Sequence, residues 1–188
     1  PLFTEWRLTE LRSDNSVQGT PTSTNAANIE LNELDMFSLL PTHQSVYDYW
    51  YACYDNIGRV NTVLESISLI ENEAERNRLE AECLFIRSYH YFNLVRLYGP
   101  VFIVTENISV SESMKKDRSP VAAVYKQIVD DLKLSVEKLT GVTYSTSDLG
   151  RVTDLAAKSL LAKVYMTLGQ FDEALPLLKD VIDVKGET

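Results

Sequence analysis

Cysteine, glycine and proline are scarce in this 188-residue chain, and their scarcity excludes several classes of protein. Two cysteines are too few for a disulfide framework, and neither Cys53 nor Cys83 belongs to a metal-binding motif, so we expect two buried free thiols. Seven glycines and six prolines, beside 45% hydrophobic residues, exclude a collagen-like or disordered chain. No apolar run approaches the roughly 20 residues needed to cross a bilayer. No targeting leader is recognisable at Pro1.

Positive charge is also in short supply. The chain has 18 basic against 27 acidic side chains and a formal charge of -9, the wrong sign for binding a phosphate backbone or an anionic bilayer. We therefore expect no nucleic acid partner. Histidine is limited to His43 and His90, and neither lies in a catalytic or zinc-binding motif. The sequence predicts no enzyme, no cofactor and no metal site, and His90 is interpreted as a core residue.

From residue 43 onward the chain contains apolar residues at helical spacing. A first helix is indicated by positions that recur every three or four residues: Val46, Trp50, Cys53, Ile57, Val60, Leu64 and Ile67. A second helix, over about 74–98, ends at Gly99 and Pro100, because glycine suits a helix C-cap and proline cannot continue the helix. The middle of this second helix is apolar nearly all round, which predicts the centre of the core. Residues 43–98 are thus predicted to form a helix pair.

The segments on either side of this pair are predicted to be less regular. Residues 1–42, rich in Thr, Ser and Asn, are expected to be mostly loop, with a short helix over 5–11. Residues 99–118 are expected to form a connection that begins with a strand-like stretch over 101–104. Ser119 and Pro120 then offer an N-cap followed by proline at the first position of the next helix.

Residues 119–188 are predicted to be helical and to include a tetratricopeptide-like pair. Six positions match that repeat: Leu161, Ala162, Tyr165, Gly169, Phe171 and Ala174. The small alanines let two antiparallel helices approach closely, Gly169 makes the turn, and Tyr165 and Phe171 are expected to fill the space beside the crossing. Pro176 predicts a bend or a frayed first turn in the last helix. The predicted fold is one all-α domain over 1–188, built from tetratricopeptide-like antiparallel helix pairs with an irregular N-terminal segment.

One stretch narrows the choice of family. Residues 82–101, ECLFIRSYHYFNLVRLYGPV, resemble the hallmark helix of the SusD/RagB family of outer-membrane nutrient-binding lipoproteins. Segments 47–64, 118–132 and 150–165 resemble other parts of that family in the same order. The chain departs at Phe102, where the family usually has proline, and at Cys83 and Ser88, where alanine is common. The resemblance covers residues 10–183 and implies that the chain corresponds to the N-terminal portion of a longer protein.

This resemblance implies a function, a location and a partner. It implies non-catalytic binding of a nutrient, an oligosaccharide, at the cell surface of the outer membrane, on a lipid anchor absent from this chain. It further implies handover of the ligand to a TonB-dependent, SusC-like transporter. Two alternatives stay open: a tetratricopeptide-like protein-interaction scaffold, whose extended surface suits a protein partner, and a peptide-uptake binding protein.

Candidate ligand contacts follow from the same resemblance, because the family's N-terminal contacts come from loops before the first long helix. Guanidinium, carboxylate and amide groups match the hydroxyl edges of sugars, and the candidates of these types are Arg12, Asp14, Asn15, Asn25, Asn28 and Asn32. For the asparagines, turn formation is the alternative role. Arg87, in the middle of the apolar helix, is expected to meet a carboxylate or helix-end carbonyls in a structural role.

Overall fold

The computed structural model describes residues 2–19 and 24–185, and its regular secondary structure over these residues is helical. The helices in chain order are α1 Leu2–Thr9, α2 Ala26–Asp35, α3 Gln44–Ser66, α4 Glu73–Tyr98, α5 Val110–Ser113, α6 Val121–Leu139, α7 Asp154–Thr167 and α8 Phe171–Lys185. Short 3-10 helices occupy Ile67–Leu69 and Thr146–Asp148. The predicted all-α fold is confirmed.

The chain divides into two compact units, Pro1–Asp55 and Asn56–Thr188. The first unit contains more helix than expected, because α2 was not predicted. α2 has a weak apolar stripe with one buried residue, Leu34, and it is started by Asn25, whose Oδ1 accepts from the Ala27 N–H at 2.9 Å. The helix expected over 5–11 begins earlier and ends at Thr9. Residues 1 and 20–23 of the predicted loop lie outside the described residues.

Helix α4 forms the centre of the second unit, as its apolar sequence predicted. It packs against α6, which in turn packs against α7. Its fully buried side chains include Ala81, Tyr91, Phe92 and Leu94. Asn72 caps its first turn by accepting from the Glu75 N–H at 3.0 Å, and Gly99 ends it at a φ of 70°.

The connection after α4 does not contain the predicted strand. Over its described residues the only ladder contact is an isolated antiparallel bridge, in which the Ser119 N–H donates to the Val101 carbonyl at 2.8 Å. Val104 bonds a side chain instead: its N–H donates to the Tyr91 hydroxyl at 2.7 Å, and that hydroxyl donates to the Val104 carbonyl at 3.0 Å. Because Ser119 pairs with Val101, Pro120 becomes the residue before α6 and the serine cap we predicted does not form.

Helices α7 and α8 form the predicted tetratricopeptide-like pair. Ala162 and Ala174 are buried, and Gly169 makes the turn at a φ of 73°. The prediction for Phe171 was wrong, because its side chain is 64% exposed. Among the described elements α8 packs against α7 alone, so the face that carries Phe171 has no neighbour to cover it. α8 runs unbroken through Pro176, and its first turn is intact.

Candidate functional site

The loop that follows α1 returns to the C-terminal end of α2. The Gln18 N–H donates to the Asp35 carboxylate at 3.0 Å, which fixes the end of this loop to the helix. Arg12 lies in the same loop, and its guanidinium carbon is 5.4 Å from the centroid of the Phe37 ring, two residues beyond α2. The structure therefore places the first predicted ligand residue, Arg12, against the exposed end of α2.

The three predicted asparagines lie along α2, at spacings that put them on one helical face. Asn25 caps the helix, because its Oδ1 accepts from the Ala27 N–H. Asn28 is half-buried. The Oδ1 of Asn32 is buried and accepts no hydrogen bond from the described residues, which leaves this acceptor unsatisfied.

The remaining two candidates, Asp14 and Asn15, are exposed on the turn between Arg12 and Gln18. Local hydrogen bonds shape this turn: the Ser13 hydroxyl donates to the Glu10 carbonyl at 2.7 Å and accepts from the Asn15 N–H at 3.3 Å. The structure thus assembles Arg12 with α2 and leaves the other two loop candidates on the surface.

Phe37 is the residue of this region that sequence reasoning missed. Its aromatic ring beside a guanidinium is typical of recognition sites, but nothing in the sequence pairs it with Arg12. The two residues are 25 positions apart, and α2, whose end sets the position of Phe37, was not predicted.

The thiols of Cys53 and Cys83 and the imidazole of His43 are buried in surroundings typical of structural residues. Burial raises the pKa of the Cys53 thiol to about 12 and raises that of Cys83, so the nucleophilic thiolate is disfavoured at both. His43 accepts from the Ser45 N–H at 3.2 Å and lies 3.2 Å from the Glu30 carbonyl, so both ring nitrogens bond the backbone. Over residues 2–19 and 24–185 no three His, Cys, Asp or Glu side chains lie where they could hold a metal ion.

Arg87 has the carboxylate partner that its position predicted. Its guanidinium bonds both oxygens of Asp131 at 2.8 and 2.9 Å, and its Nη1 donates to the Asn61 side chain at 3.1 Å and to the Thr105 carbonyl at 3.3 Å. Gln127 donates to the same carboxylate at 2.9 Å. Because both charged side chains are buried and each is satisfied by the other, the pair is structural.

An open groove of about 440 Å³ runs between α6 and the turn that joins α7 to α8. Its polar and aromatic lining comprises Tyr125, Lys126, Lys133, Tyr165, Gln170 and Glu173. Sequence analysis did not identify it, because the groove exists only once α6 is placed against the helix pair.

Comparison with known protein families identifies the family of this chain. A SusD-like sequence profile, described as starch-binding and associating with the outer membrane, matches residues 4–166. The chain belongs to the SusD-like family. The matched residues include the stretch over 82–101, which resembles the hallmark segment of the family, together with Arg12 and α2. No helix of the described SusD-like chain is long and apolar enough to cross a membrane.

Relatives of similar sequence carry the same family name. A SusD-like protein of Formosa agariphila is 28% identical over 155 residues, which is 80% of this chain and 30% of that protein. A SusD-like protein of Bacteroides ovatus is 27% identical over 134 residues, which is 69% of this chain and 24% of its relative. The chain thus spans less than a third of the length of these relatives.

Solved structures show the same fold. A SusD-like protein from Bacteroides fragilis superposes with a TM-score of 0.83 at 26% identity, over 94% of this chain and 34% of the other. A laminarin-binding SusD-like protein superposes with a TM-score of 0.78 at 26% identity, over 96% of this chain and 41% of the other.

Proposed function

We propose that this chain is the N-terminal part of a non-catalytic protein that binds an oligosaccharide at the cell surface and passes it to a TonB-dependent, SusC-like transporter. The observation that carries the proposal is the family match over residues 4–166, whose description is starch-binding and associating with the outer membrane. The fold shared with a laminarin-binding relative supports a glucan as the ligand. A lipid anchor accounts for the location.

The chemistry of the first unit supports this ligand class. Sugar recognition combines a flat apolar surface with a few well-placed polar groups. Arg12 supplies such a group beyond the C-terminal end of α2, and Asn28 and Asn32 lie along that helix. Asp14 and Asn15 add exposed polar groups on the neighbouring turn. Asn25 contributes by capping α2.

Isothermal titration of the purified chain against laminarin, starch and xyloglucan oligosaccharides tests the binding step. We expect heat of binding with at least one of them, and the glycan should be recovered at its original length. Shortened products would contradict a purely binding role. If a peptide panel bound and every glycan failed, the peptide-uptake alternative would replace the glycan one.

The transporter step is tested with the full-length protein in its native membrane. We expect the protein to be accessible to protease on intact cells and to co-purify with a barrel transporter in mild detergent. Retention in the cytoplasm would contradict both the location and the handover.

The groove beside α6 favours a second candidate function, a protein-interaction scaffold. Lys133 on α6 and Glu173 on α8 both line this groove, and its aromatic lining suits an extended peptide segment. Lys133→Glu should abolish capture of such a partner while leaving glycan binding unchanged. If Lys133→Glu removed glycan binding, the groove would be the glycan site and the scaffold function would be wrong.

A further inference from the structure

Helix α2 ends in a backbone conformation that its residue does not favour. Phe37 has a φ of 55°, and among the described residues it is the one non-glycine position with a positive φ. The Ser38 N–H donates to the Glu33 carbonyl at 3.0 Å and the Phe37 N–H to the Leu34 carbonyl at 3.3 Å. These two bonds define a Schellman motif, in which the left-handed position is usually glycine because a Cβ there meets the following carbonyl.

The Phe37 side chain does not compensate for this conformation by burial. Its ring is 61% exposed, so it removes little apolar surface from water. Backbone strain and exposure both favour a glycine or a polar residue at this position. Phe37 is thus unfavourable both in its backbone conformation and in its exposure to water. A residue in such a position points to a role other than folding.

Arg12 supplies the second element of the site. Its guanidinium carbon lies 5.4 Å from the Phe37 ring centroid, within the range of a cation–π contact. No described carboxylate forms an ion pair with Arg12, and its Nε is buried without an acceptor. An aromatic face therefore lies beside a guanidinium group whose Nε has no acceptor among the described residues.

We propose that Phe37 and Arg12 form a stacking platform for one pyranose ring of a neutral glycan. The flat C–H face of a pyranose matches the exposed aromatic ring, and its rim hydroxyls accept hydrogen bonds from the guanidinium. The platform deepens the proposed oligosaccharide binding and rests on it. It assigns the strained position at the end of α2 to ligand contact.

Three variants test the platform by titration with laminarin, starch and xyloglucan oligosaccharides, each beside a thermal melt. Phe37→Gly should weaken binding of the bound glycan at least 10-fold without lowering the melting temperature by more than about 4 °C, because relief of backbone strain offsets the lost ring contact. Arg12→Gln should also weaken binding, since it removes the guanidinium donors. Leu40→Asn is the matched control: its side chain is likewise exposed, and binding and melting should stay unchanged.

The outcomes separate the platform from the function beneath it. If the wild type binds a glycan and Phe37→Gly binds it equally well, the platform is wrong and the proposed function stands. If Phe37→Gly melts more than about 4 °C lower, which is about 1 kcal/mol or more for a chain of this size, the ring is part of the fold and the platform is overturned. If the wild type binds none of the glycans, the proposed function fails for this chain and the platform fails with it.

Discussion

Among single residues, Arg87 and Asp131 show most directly how one buried contact organises the second unit. Their bidentate pair joins α4 to α6, and the remaining guanidinium nitrogen reaches Asn61 on α3 and Thr105 in the connection. Four segments that are distant in sequence therefore meet at one cation. Forming such a pair costs free energy, because both charges leave water. Removing one partner costs more, because the remaining charge stays buried without a counter-charge.

Asp131→Asn is predicted to destabilise the chain strongly. It leaves the Arg87 cation without its counter-charge, and breaking a buried pair in this way costs about 3–5 kcal/mol. Urea unfolding followed by circular dichroism measures the change. The neighbouring residue provides the matched control: Asp130 pairs with Lys126 in solvent, so Asp130→Asn should cost less than about 1 kcal/mol. Equal effects of the two substitutions would show that burial of the pair is unimportant.

Two buried acids predict a loss of stability at alkaline pH. Burial raises the pKa of Cys53 from 9.0 to about 12 and that of Tyr91 from 10.0 to about 12. The unfolded chain loses these protons first, so the folded state binds more protons in this range and its free energy of unfolding falls as pH rises from about 9 to 12. Urea midpoints at pH 8, 9, 10 and 11 should decrease. Cys53→Ala should flatten the decrease, and an unchanged slope would remove Cys53 as a cause.

Among elements, the turns between helices are set by backbone conformation as much as by packing. Gly169 joins α7 to α8 at a φ of 73°, whereas Gly58 lies inside α3. A methyl group added at either position would meet no atom within 4 Å. The same substitution at the two sites therefore isolates the backbone term.

Gly169→Ala and Gly58→Ala are predicted to change stability in opposite directions. At Gly169 the left-handed backbone disfavours a Cβ, so alanine should destabilise by about 1–2 kcal/mol. At Gly58 alanine is the better helix former and should stabilise by about 0.5–1 kcal/mol. Chemical denaturation of both variants measures the two changes. A loss at Gly58 as large as that at Gly169 would contradict the backbone explanation.

The packing of α8 also explains why the prediction for Phe171 was wrong. The repeat positions Leu161, Ala162, Tyr165 and Ala174 are buried as predicted. Phe171, the first residue of α8, is exposed, and among the described elements α8 has no neighbour besides α7. Repeat helices bury both faces only when repeats stack on either side. The repeat pattern correctly predicted the pair of α7 and α8. It could not predict whether a further helix packs on α8.

For the whole molecule, stability is expected to differ from one region to another. The middle of α4 is buried on nearly all sides, whereas the turns over 10–19 and 140–150 are largely exposed. Amides in well-packed helices exchange only through large openings, while exposed turns exchange through local ones.

Hydrogen exchange measured by mass spectrometry should reveal this order. Peptides covering residues 81–95 should exchange most slowly, and those covering 10–19 and 140–150 should exchange within the earliest time points. Peptides from α8, which packs on one side, should be intermediate. Uniform exchange along the chain would contradict the central position of α4.

Helical spacing along the sequence predicted α3, α4, α6, α7 and α8, and the stretch over 82–101 indicated the family, whereas α2 and α5 were not predicted. Helical periodicity, the helix end at Gly99 and the repeat pattern from Leu161 to Ala174 are local features, so they can be recognised without knowing which segments meet. The expectation that Arg87 needs a partner also followed from the sequence, because a guanidinium in an apolar helix is rarely left alone.

Which side chains meet depends on the tertiary structure. In the folded chain Asp131 is the partner of Arg87, and Arg12 lies against Phe37. Phe171 is exposed to solvent, and Val104 bonds Tyr91 where a strand was expected. Each of these outcomes depends on contacts between segments far apart in the chain. Local preference does not encode such contacts, because they form only when packing brings the elements within reach of one another.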